Sequence, residues 1–238
     1  MDNFIYQGGE LEVFKFAKNW KNYYKSLLIG HLGHNSIIEV GAGIGEMTKC
    51  LRQLSASSVW ICVEPDKSNS SAIRKLILNE EIDGNIEVFT GTLEDFDPGD
   101  RKFESVLFID SLEHIENDRK VLEDAASLLK PNGKIIIIAP AHNFIYSEFD
   151  KKIGHFRRYN KKIIRGIIPD SMREISFKYI DSVGLFLNLA NKYLLKSSNP
   201  KLNQILFWDR CIVPISKLVD RMLNYHFGKN LVCVLKKE

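Results

Sequence analysis

The sequence predicts an α/β protein with a doubly wound parallel sheet, and two observations support this fold class. First, short apolar runs alternate with stretches of helical spacing from residue 36 onward, which is typical of βαβ units with helices on both faces of a sheet. The predicted strands are 36–40, 58–63, 85–90, 105–109 and 134–139, and the predicted helices are 46–54, 68–79 and 118–129. Second, a glycine-rich turn separates the first strand from the first helix, where an open α/β sheet binds ligands.

A chain of 238 residues and 27.3 kDa has the length of one elaborated domain. Its 45% hydrophobic and 26% charged residues are typical of a globular protein and exclude a disordered or fibrous one. The purely apolar runs, such as 135–139, are far shorter than the roughly 20 residues of a membrane span. No basic-then-apolar leader opens the sequence. We therefore expect a soluble, cytoplasmic protein.

The run EVGAGIG at residues 39–45 forms the glycine-rich turn. Gly41 and Gly43 allow a ligand to approach the backbone closely, and Gly45 allows tight packing where the helix begins. The spacing differs from the GxGxxG of dinucleotide folds, and no GK[ST] follows, which excludes a P-loop. Glu39 stands just before the turn and opposes a phosphate, but it suits a cationic ligand with an ammonium and a sulfonium group. Glu64 ends the second strand, where an acid can accept hydrogen bonds from both ribose hydroxyls.

These residues resemble the class I S-adenosylmethionine-dependent methyltransferases. The resemblance covers residues 36–141 and includes FTGTLEDF after the third strand, LFIDSLEHI in the fourth and LKPNG before the fifth. It implies S-adenosylmethionine as the cofactor, S-adenosylhomocysteine as the product, and a Rossmann-like seven-stranded sheet of order 3-2-1-4-5-7-6 with the last strand antiparallel. The implied cofactor-binding residues are Glu39, Gly41, Ala42, Gly43, Glu64, Pro65, Thr92, Leu93, Asp110, Ser111 and His114. Thr92 stands where the family often has Asp, so the contact to the adenine amino group falls to Glu94 or the backbone.

The resemblance divides the single domain into three parts. Residues 1–35 form an N-terminal helical cap with an amphipathic helix at about 10–28, and residues 36–141 form the cofactor-binding core. Residues 142–238 hold a substrate loop, helices at 185–196 and 203–225, and the strands 174–181 and 230–236. The turn at 130–133 ends the last core helix, because Pro cannot continue a helix and Gly or Asn tolerates a positive φ.

Segments outside the core resemble a bacterial subgroup of these enzymes that is associated with sugar and cell-surface glycan pathways. The stretches LEVFKFAKNWKNYYKSLL and YSEFDKKIGHFRRYNKK carry this second resemblance. By analogy, the N-terminal helix closes over the cofactor, with Trp20 and Tyr23 as the residues that touch it. The alternative is that both aromatic side chains belong to the core.

Residues 151–165 contain seven Lys or Arg and no acid, so the excess positive charge of the chain lies in this segment. Such a cluster focuses potential on an anion, although a solvated basic face is the simpler reading. Arg157 and Arg158 are predicted to grip a carboxylate or phosphate of the acceptor. Tyr146, Asp150 and Tyr159 are predicted to complete the acceptor pocket.

His155 is the predicted general base, because a histidine of ordinary pKa is largely neutral near pH 7. Asp110, at the edge where cofactor meets acceptor, is the second predicted catalytic residue. No metal site is predicted, since His31, His34, His142 and His226 show no HxxxH spacing. The four cysteines lie far apart without a CxxC pair.

The predicted function is therefore methyl transfer from S-adenosylmethionine to a small or glycan-like acceptor that carries negative charge. A nucleic-acid methyltransferase and a non-catalytic S-adenosylmethionine-binding module are the alternatives. Nucleic acid is the less favoured partner, because IDSL replaces the NPPY-type motif of base methylators. A lipid-linked acceptor and contact of the helices after Leu185 with a membrane surface remain open.

Overall fold

A computed structural model describes residues 6, 8–54, 59–190 and 201–238. The strands are β1 Ser36–Val40, β2 Val59–Glu64, β3 Ile86–Thr90, β4 Phe103–Ile109, β5 Leu129–Pro140, β6 Met172–Ile180 and β7 Asn230–Lys237. The helices are α1 Leu11–Phe14, α2 Lys18–Leu28, α3 Glu46–Arg52, α4 Lys67–Leu78, α5 Asp118–Leu128, α6 Glu148–Lys152, α7 Lys161–Ile167, α8 Ser182–Ala190, α9 Leu202–Phe207 and α10 Val213–Met222.

The seven strands form one sheet in the order β3-β2-β1-β4-β5-β7-β6, which confirms the predicted fold. The first five strands run parallel, and β7 pairs antiparallel with both β5 and β6. Alternate residues of β1 face opposite sides of the sheet. Ile38 packs into a core with α5 and α7, whereas Ile37 packs into a core with α2, α3 and α4. The carboxyl ends of β1, β2 and β4 therefore share one edge that helices flank on both faces.

The N-terminal helix differs from its prediction, because it is two helices with a break at residues 15–17. The break has a tertiary cause. The carboxylate of Asp209 accepts hydrogen bonds from the backbone N–H groups of Asn19 and Trp20, at 3.2 and 2.9 Å. An acid at this place caps the first turn of α2 and interacts favourably with the helix dipole.

Other elements also differ from their prediction. Strand β5 begins at Leu129, so the predicted turn at 130–133 lies inside the strand, opposite a register shift in β4, and Asn132 has the expected positive φ of 65°. Helix α7 was not predicted, although Asn160 caps it through a 2.9 Å bond from Ile163 N. The predicted helix 203–225 is α9 and α10 joined by a π-helical turn, Trp208–Ile212.

Two predicted elements extend outside the described residues. Residue 58 of the second strand and residues 191–196 of the helix predicted at 185–196 lie there, while α8 covers the described part of that helix. Among the described helices, none is long and apolar enough to cross a membrane.

Candidate cofactor and acceptor site

The glycine turn adopts the left-handed backbone that its residues allow. Gly41, Gly43 and Gly45 have φ of 72°, 56° and 84°. A Cβ at Gly41 would lie 2.5 Å from Cβ of Ser111, and a Cβ at Gly45 would lie 3.1 Å from Ile73, so these two glycines allow close packing. At Gly43, by contrast, a Cβ would meet only Leu11, at 3.7 Å. Gly43 is therefore the point where the turn faces the cleft.

Glu64 lies at the end of β2 as predicted, and its carboxylate is held from two sides. Oε2 accepts from Gly43 N at 2.8 Å, and Oε1 accepts from Asp66 N at 3.0 Å. Oε1 also accepts a longer bond from Asn69 Nδ2, at 3.5 Å, so Oε2 is the oxygen with a further lone pair for a hydroxyl. Desolvation raises the pKa of Glu64, although the backbone hydrogen bonds oppose the shift. This arrangement fits the ribose-binding role that the resemblance implies.

Glu39 is turned into the protein rather than toward the cleft, which corrects its predicted contact with the methionine end of the cofactor. Only 2% of the residue is exposed, and Oε2 accepts from Thr48 Oγ1 at 2.7 Å and from Trp60 Nε1 at 3.0 Å. Desolvation raises its pKa to about 7 despite these two bonds. Glu39 therefore ties α3 and β2 together beneath the turn.

The chain before α1 crosses the same edge of the sheet. The backbone N–H of Tyr6 donates to Asp66 Oδ2 at 2.8 Å, and its hydroxyl donates to Glu10. Its ring packs edge-on against His114, with centroids 5.5 Å apart. Tyr6 therefore links the end of β2 to the turn after β4, across the cleft that the cofactor would occupy.

Asp110, directly after β4, adopts a left-handed φ of 48°. Its carboxylate accepts from Tyr24 Oη at 3.1 Å and from Asn230 Nδ2 at 3.4 Å. The side chain is exposed, yet desolvation by the surrounding protein raises its pKa to about 6 against the hydrogen bond from Tyr24. The role of Asp110 at the cofactor edge stays a prediction.

The cofactor contacts predicted for Trp20 and Tyr23 are corrected by the structure. Both residues are buried on the inner face of α2. Trp20 packs on Trp208 with centroids 4.9 Å apart, and Tyr23 Oη donates to Asp220 at 2.8 Å. Tyr24 is the α2 residue that reaches the cleft.

At the third strand, the hydroxyl of Thr92 donates to Asp95 Oδ2 at 2.7 Å, and Leu93 is buried in the core. The neighbouring Ala42 and Pro65 are buried and half-buried beside the turn and the end of β2.

The segment GHFRRY is anchored beside this edge. Phe156 N donates to the carbonyl of Glu113 at 2.8 Å, and the isolated pair Ala141 and Tyr159 continues the parallel arrangement beyond β5. Tyr159 is fully buried and donates to Asp118 at 3.0 Å, while Tyr146 donates to the carbonyl of His155 at 2.6 Å.

Arg157 and Arg158 are both paired with acids of the chain, which corrects the prediction that they bind an anionic group of the acceptor. Arg158 is 7% exposed and forms a two-pronged contact with Asp150, Nε to Oδ1 at 2.8 Å and Nη2 to Oδ2 at 3.0 Å. Arg157 pairs with Asp118 and donates to the carbonyl of Glu116 at 2.8 Å. Both guanidinium groups thus hold the loop in place.

Part of the wider basic segment is also paired. Lys161 and Arg165 both lie within ion-pair distance of Glu174, at 3.8 and 2.9 Å. Three acids thus pair with four of the seven cations, and the segment keeps a net positive charge.

Asp150 is the centre of the loop. Besides Arg158, it accepts from Ser147 Oγ at 2.8 Å and lies 2.9 Å from His155 Nδ1. Burial alone would raise the pKa of Asp150, but the hydrogen bond from His155 and the charge of Arg158 together hold it well below its usual range. The acceptor-pocket role predicted for Asp150 is corrected, because the residue is fully buried.

Glu113, His114 and His155 form a cluster that the sequence spacing does not show. Their ligand atoms lie within 4.8 Å of one another, a grouping that could hold a metal ion. His155 Nε2 is 3.7 Å from Glu113 Oε1, and the rings of His114 and His155 meet at 4.6 Å. Desolvation and the nearby Asp110 raise the pKa of Glu113 well above its usual range, and desolvation lowers that of His114 to about 3. Both shifts favour neutral side chains.

The fold and the cleft together define an α/β protein that binds a nucleoside-containing ligand at the carboxyl edge of its sheet. Residues 17–181 match the family described as "Methyltransferase domain". This chain belongs to that family, which agrees with S-adenosylmethionine as its cofactor.

Individual relatives are distant. A segment of 110 residues, 43% of this chain, is 30% identical to the mitochondrial ubiquinone biosynthesis O-methyltransferase of Dictyostelium discoideum and covers 34% of that protein. A putative methyltransferase in complex with the Trm112 activator of Haloferax volcanii matches with a TM-score of 0.63 and 13% identity, over 96% of this chain and 91% of that one. A putative sarcosine dimethylglycine methyltransferase of Galdieria sulphuraria matches with a TM-score of 0.62 and 15% identity, over 92% and 84%. The aligned segments span less than half the length of the curated relatives, and the two structures share the fold.

Proposed function

We propose that this chain transfers a methyl group from S-adenosylmethionine to a hydroxyl group of a small acceptor, glycans included, with His155 as the general base. The observation that carries the proposal is the hydrogen bond between His155 Nδ1 and Asp150 Oδ1. It gives the imidazole a defined tautomer beside the cleft. An O-methyltransferase is among the relatives in sequence, which agrees with the proposal.

The tautomer follows from the charge of Asp150. Its lowered pKa keeps the carboxylate ionised, and an ionised carboxylate only accepts hydrogen bonds. Nδ1 of His155 therefore carries the proton, and Nε2 is left as an acceptor. Arg158 and Ser147 fix the carboxylate, so the imidazole orientation is set by partners that the loop itself supplies.

Nε2 faces the neutral groups of the cleft rather than a fixed cation. Its neighbours are Glu113, for which the raised pKa favours the protonated form, and the ring of His114. A base in this setting can accept the proton that a hydroxyl loses as its oxygen gains the methyl group. Positioned bases of this kind contribute about 10²–10⁴-fold to a rate.

S-adenosylmethionine, when bound, supplies an electrophilic methyl group on a positively charged sulfur and leaves as the neutral S-adenosylhomocysteine. Glu64 and Gly43 would hold its ribose side, and Asp110 and Ser111 would line its reactive end. Because sulfur keeps the bonding electron pair, the chain needs no acid for the leaving group. Alignment of the acceptor oxygen is the larger contribution, worth roughly 7–11 kcal/mol in well-oriented reactions.

The negative charge expected of the acceptor is not part of this proposal. Arg157 and Arg158 already pair with Asp118 and Asp150, so neither guanidinium is left to bind an anion.

The test measures transfer of radiolabelled methyl groups to matched panels of hydroxyl, amine and carboxylate acceptors. We expect turnover on hydroxyl acceptors, a fall of about 10²–10⁴-fold in kcat for His155→Gln, and unchanged cofactor affinity in that variant. The exposed His226→Gln is the matched control.

Three results would contradict the proposal. They are turnover restricted to amines or carboxylates, full activity of His155→Gln, and loss of activity on chelation that a divalent metal restores. The last result would assign His155, with Glu113 and His114, to a metal centre instead.

A further inference from the structure

The C-terminal helical segment α9–α10 buries polar groups on its inner face, beside the apolar Ile205, Trp208 and Val213. Its inner face carries Asp209, Ser216 and Asp220, which are 3%, 0% and 0% exposed. Asp209 caps α2, Ser216 donates to Asp181, and Asp220 accepts from the backbone N–H groups of Asp181 and Ser182. These three polar side chains are thus used inside the protein.

The outer face is apolar at helical spacing. Phe207, Ile215, Leu218 and Met222 are 59%, 50%, 61% and 77% exposed, and the exposed Cys211 fills the remaining place in the row. Successive members lie four, four, three and four residues apart, which places them in one stripe along the helix. Large exposed apolar patches of this kind mark sites of interaction with another protein or with a membrane.

Cations flank this stripe. Arg210, Lys217 and Arg221 are exposed and lie seven and four residues apart, so they form a row beside the apolar one. Within the described chain, none of the three has an ion pair. Asp209 and Asp220 are the acids between residues 201 and 229, and both are buried. The exposed charge of this face is therefore positive.

We propose that the stripe Phe207–Met222 and its row of cations form a docking surface for an anionic lipid bilayer. A helix with an apolar face and flanking Lys or Arg lies in the interface of such a bilayer, with its apolar side among the acyl chains. Anionic headgroups would neutralise the cations. A second copy of the chain would instead bring the same cations together with no exposed acid of this segment to pair with them.

The adjoining helix also exposes an aromatic side chain. Phe186 of α8 is 67% exposed, and α8 packs against α10. The proposal rests on this surface alone and does not depend on the reaction proposed above.

The experiment is co-sedimentation of the full chain with neutral phosphatidylcholine vesicles and with vesicles that contain about one third phosphatidylglycerol. We expect binding to the anionic vesicles that weakens as salt is added, and much weaker binding to the neutral ones. Each cation near the surface contributes about fivefold to partitioning, so R210Q/K217Q/R221Q should lower it roughly 100-fold. Leu218→Ser with Met222→Ser should also abolish binding.

Two controls distinguish binding through this surface from nonspecific adsorption and from misfolding. Lys75→Gln with Leu78→Ser, on the exposed side of α4, changes the same residue types elsewhere and should leave vesicle binding unchanged. Unaltered thermal unfolding of every variant shows that the fold is kept.

Three outcomes would overturn the proposal. They are no sedimentation with anionic vesicles, equal binding by wild type and the stripe variants, and a stable dimer in solution that Leu218→Ser with Met222→Ser dissociates. The last outcome would assign the stripe to a second copy of the chain.

Discussion

Replacing Glu39 by glutamine tests the structural role of this buried residue. The carboxylate is buried between Thr48 and Trp60, and its pKa in the folded state is about 7 against 4.5 for an unperturbed glutamate. In the unfolded chain water reaches the carboxylate, so it ionises near its ordinary pKa. Glutamine keeps the carbonyl oxygen that can accept both hydrogen bonds but has no proton to lose.

The sign of the effect follows from proton binding. Between the two pKa values, the folded protein holds a proton that the unfolded chain has already released, so the free energy of unfolding falls as pH rises. The contribution of Glu39 is fully present below the unfolded pKa and is lost as pH rises through the folded one. Integrated between about pH 5 and pH 8, it amounts to about 2.5 kcal/mol.

Chemical denaturation of wild type and Glu39→Gln across this pH range is the assay. The variant should gain about 2.5 kcal/mol relative to wild type between the two pH values, whatever its absolute stability, because other titrating groups cancel in the difference. Parallel pH profiles would refute the buried, neutral Glu39 and would return it to the cleft as a ligand-facing carboxylate.

Two further substitutions test the packing around the site. Gly41→Ala should destabilise the fold by clearly more than Gly99→Ala. Both positions have φ near +60°, but only at Gly41 would a Cβ come within 2.5 Å of Ser111. Equal losses of unfolding free energy on chemical denaturation would reject this contact. Asp181→Ala should cost about 3 kcal/mol, since the buried carboxylate accepts from Ser216 and from Trp208 Nε1 and lies 3.1 Å from Lys229 Nζ. A change in the free energy of unfolding below about 1 kcal/mol would show that water or other groups replace these contacts.

The elements with strong local periodicity could be predicted from the sequence. Strand β1 and the start of α3 agree with prediction to the residue, because their apolar spacing and the glycine turn are encoded within a few positions. The break before α2 could not be predicted in this way. Its cause is the carboxylate of Asp209, which lies 190 positions from Asn19 along the chain.

The same distinction between local signals and distant contacts applies to the candidate site. Glu64 and the glycine turn were found because a motif of fixed spacing places them. The charges of Arg157 and Arg158 suggested an exposed anion site, since composition does not show that each guanidinium is already paired with an acid. Tyr6 had no local signal at all, because its contact with His114 depends on how the chain before α1 crosses the sheet edge.

The most direct test of the central claim is calorimetric titration of S-adenosylmethionine and S-adenosylhomocysteine into wild type, Glu64→Ala and the exposed control Glu123→Ala. Loss of hydrogen bonds to a charged partner typically costs about 1.5–3 kcal/mol each, so the first variant should bind at least about tenfold more weakly. Wild type and the control should bind both ligands saturably, with a clear loss of affinity in Glu64→Ala. No binding by wild type, or equal binding by all three proteins, would contradict the claim.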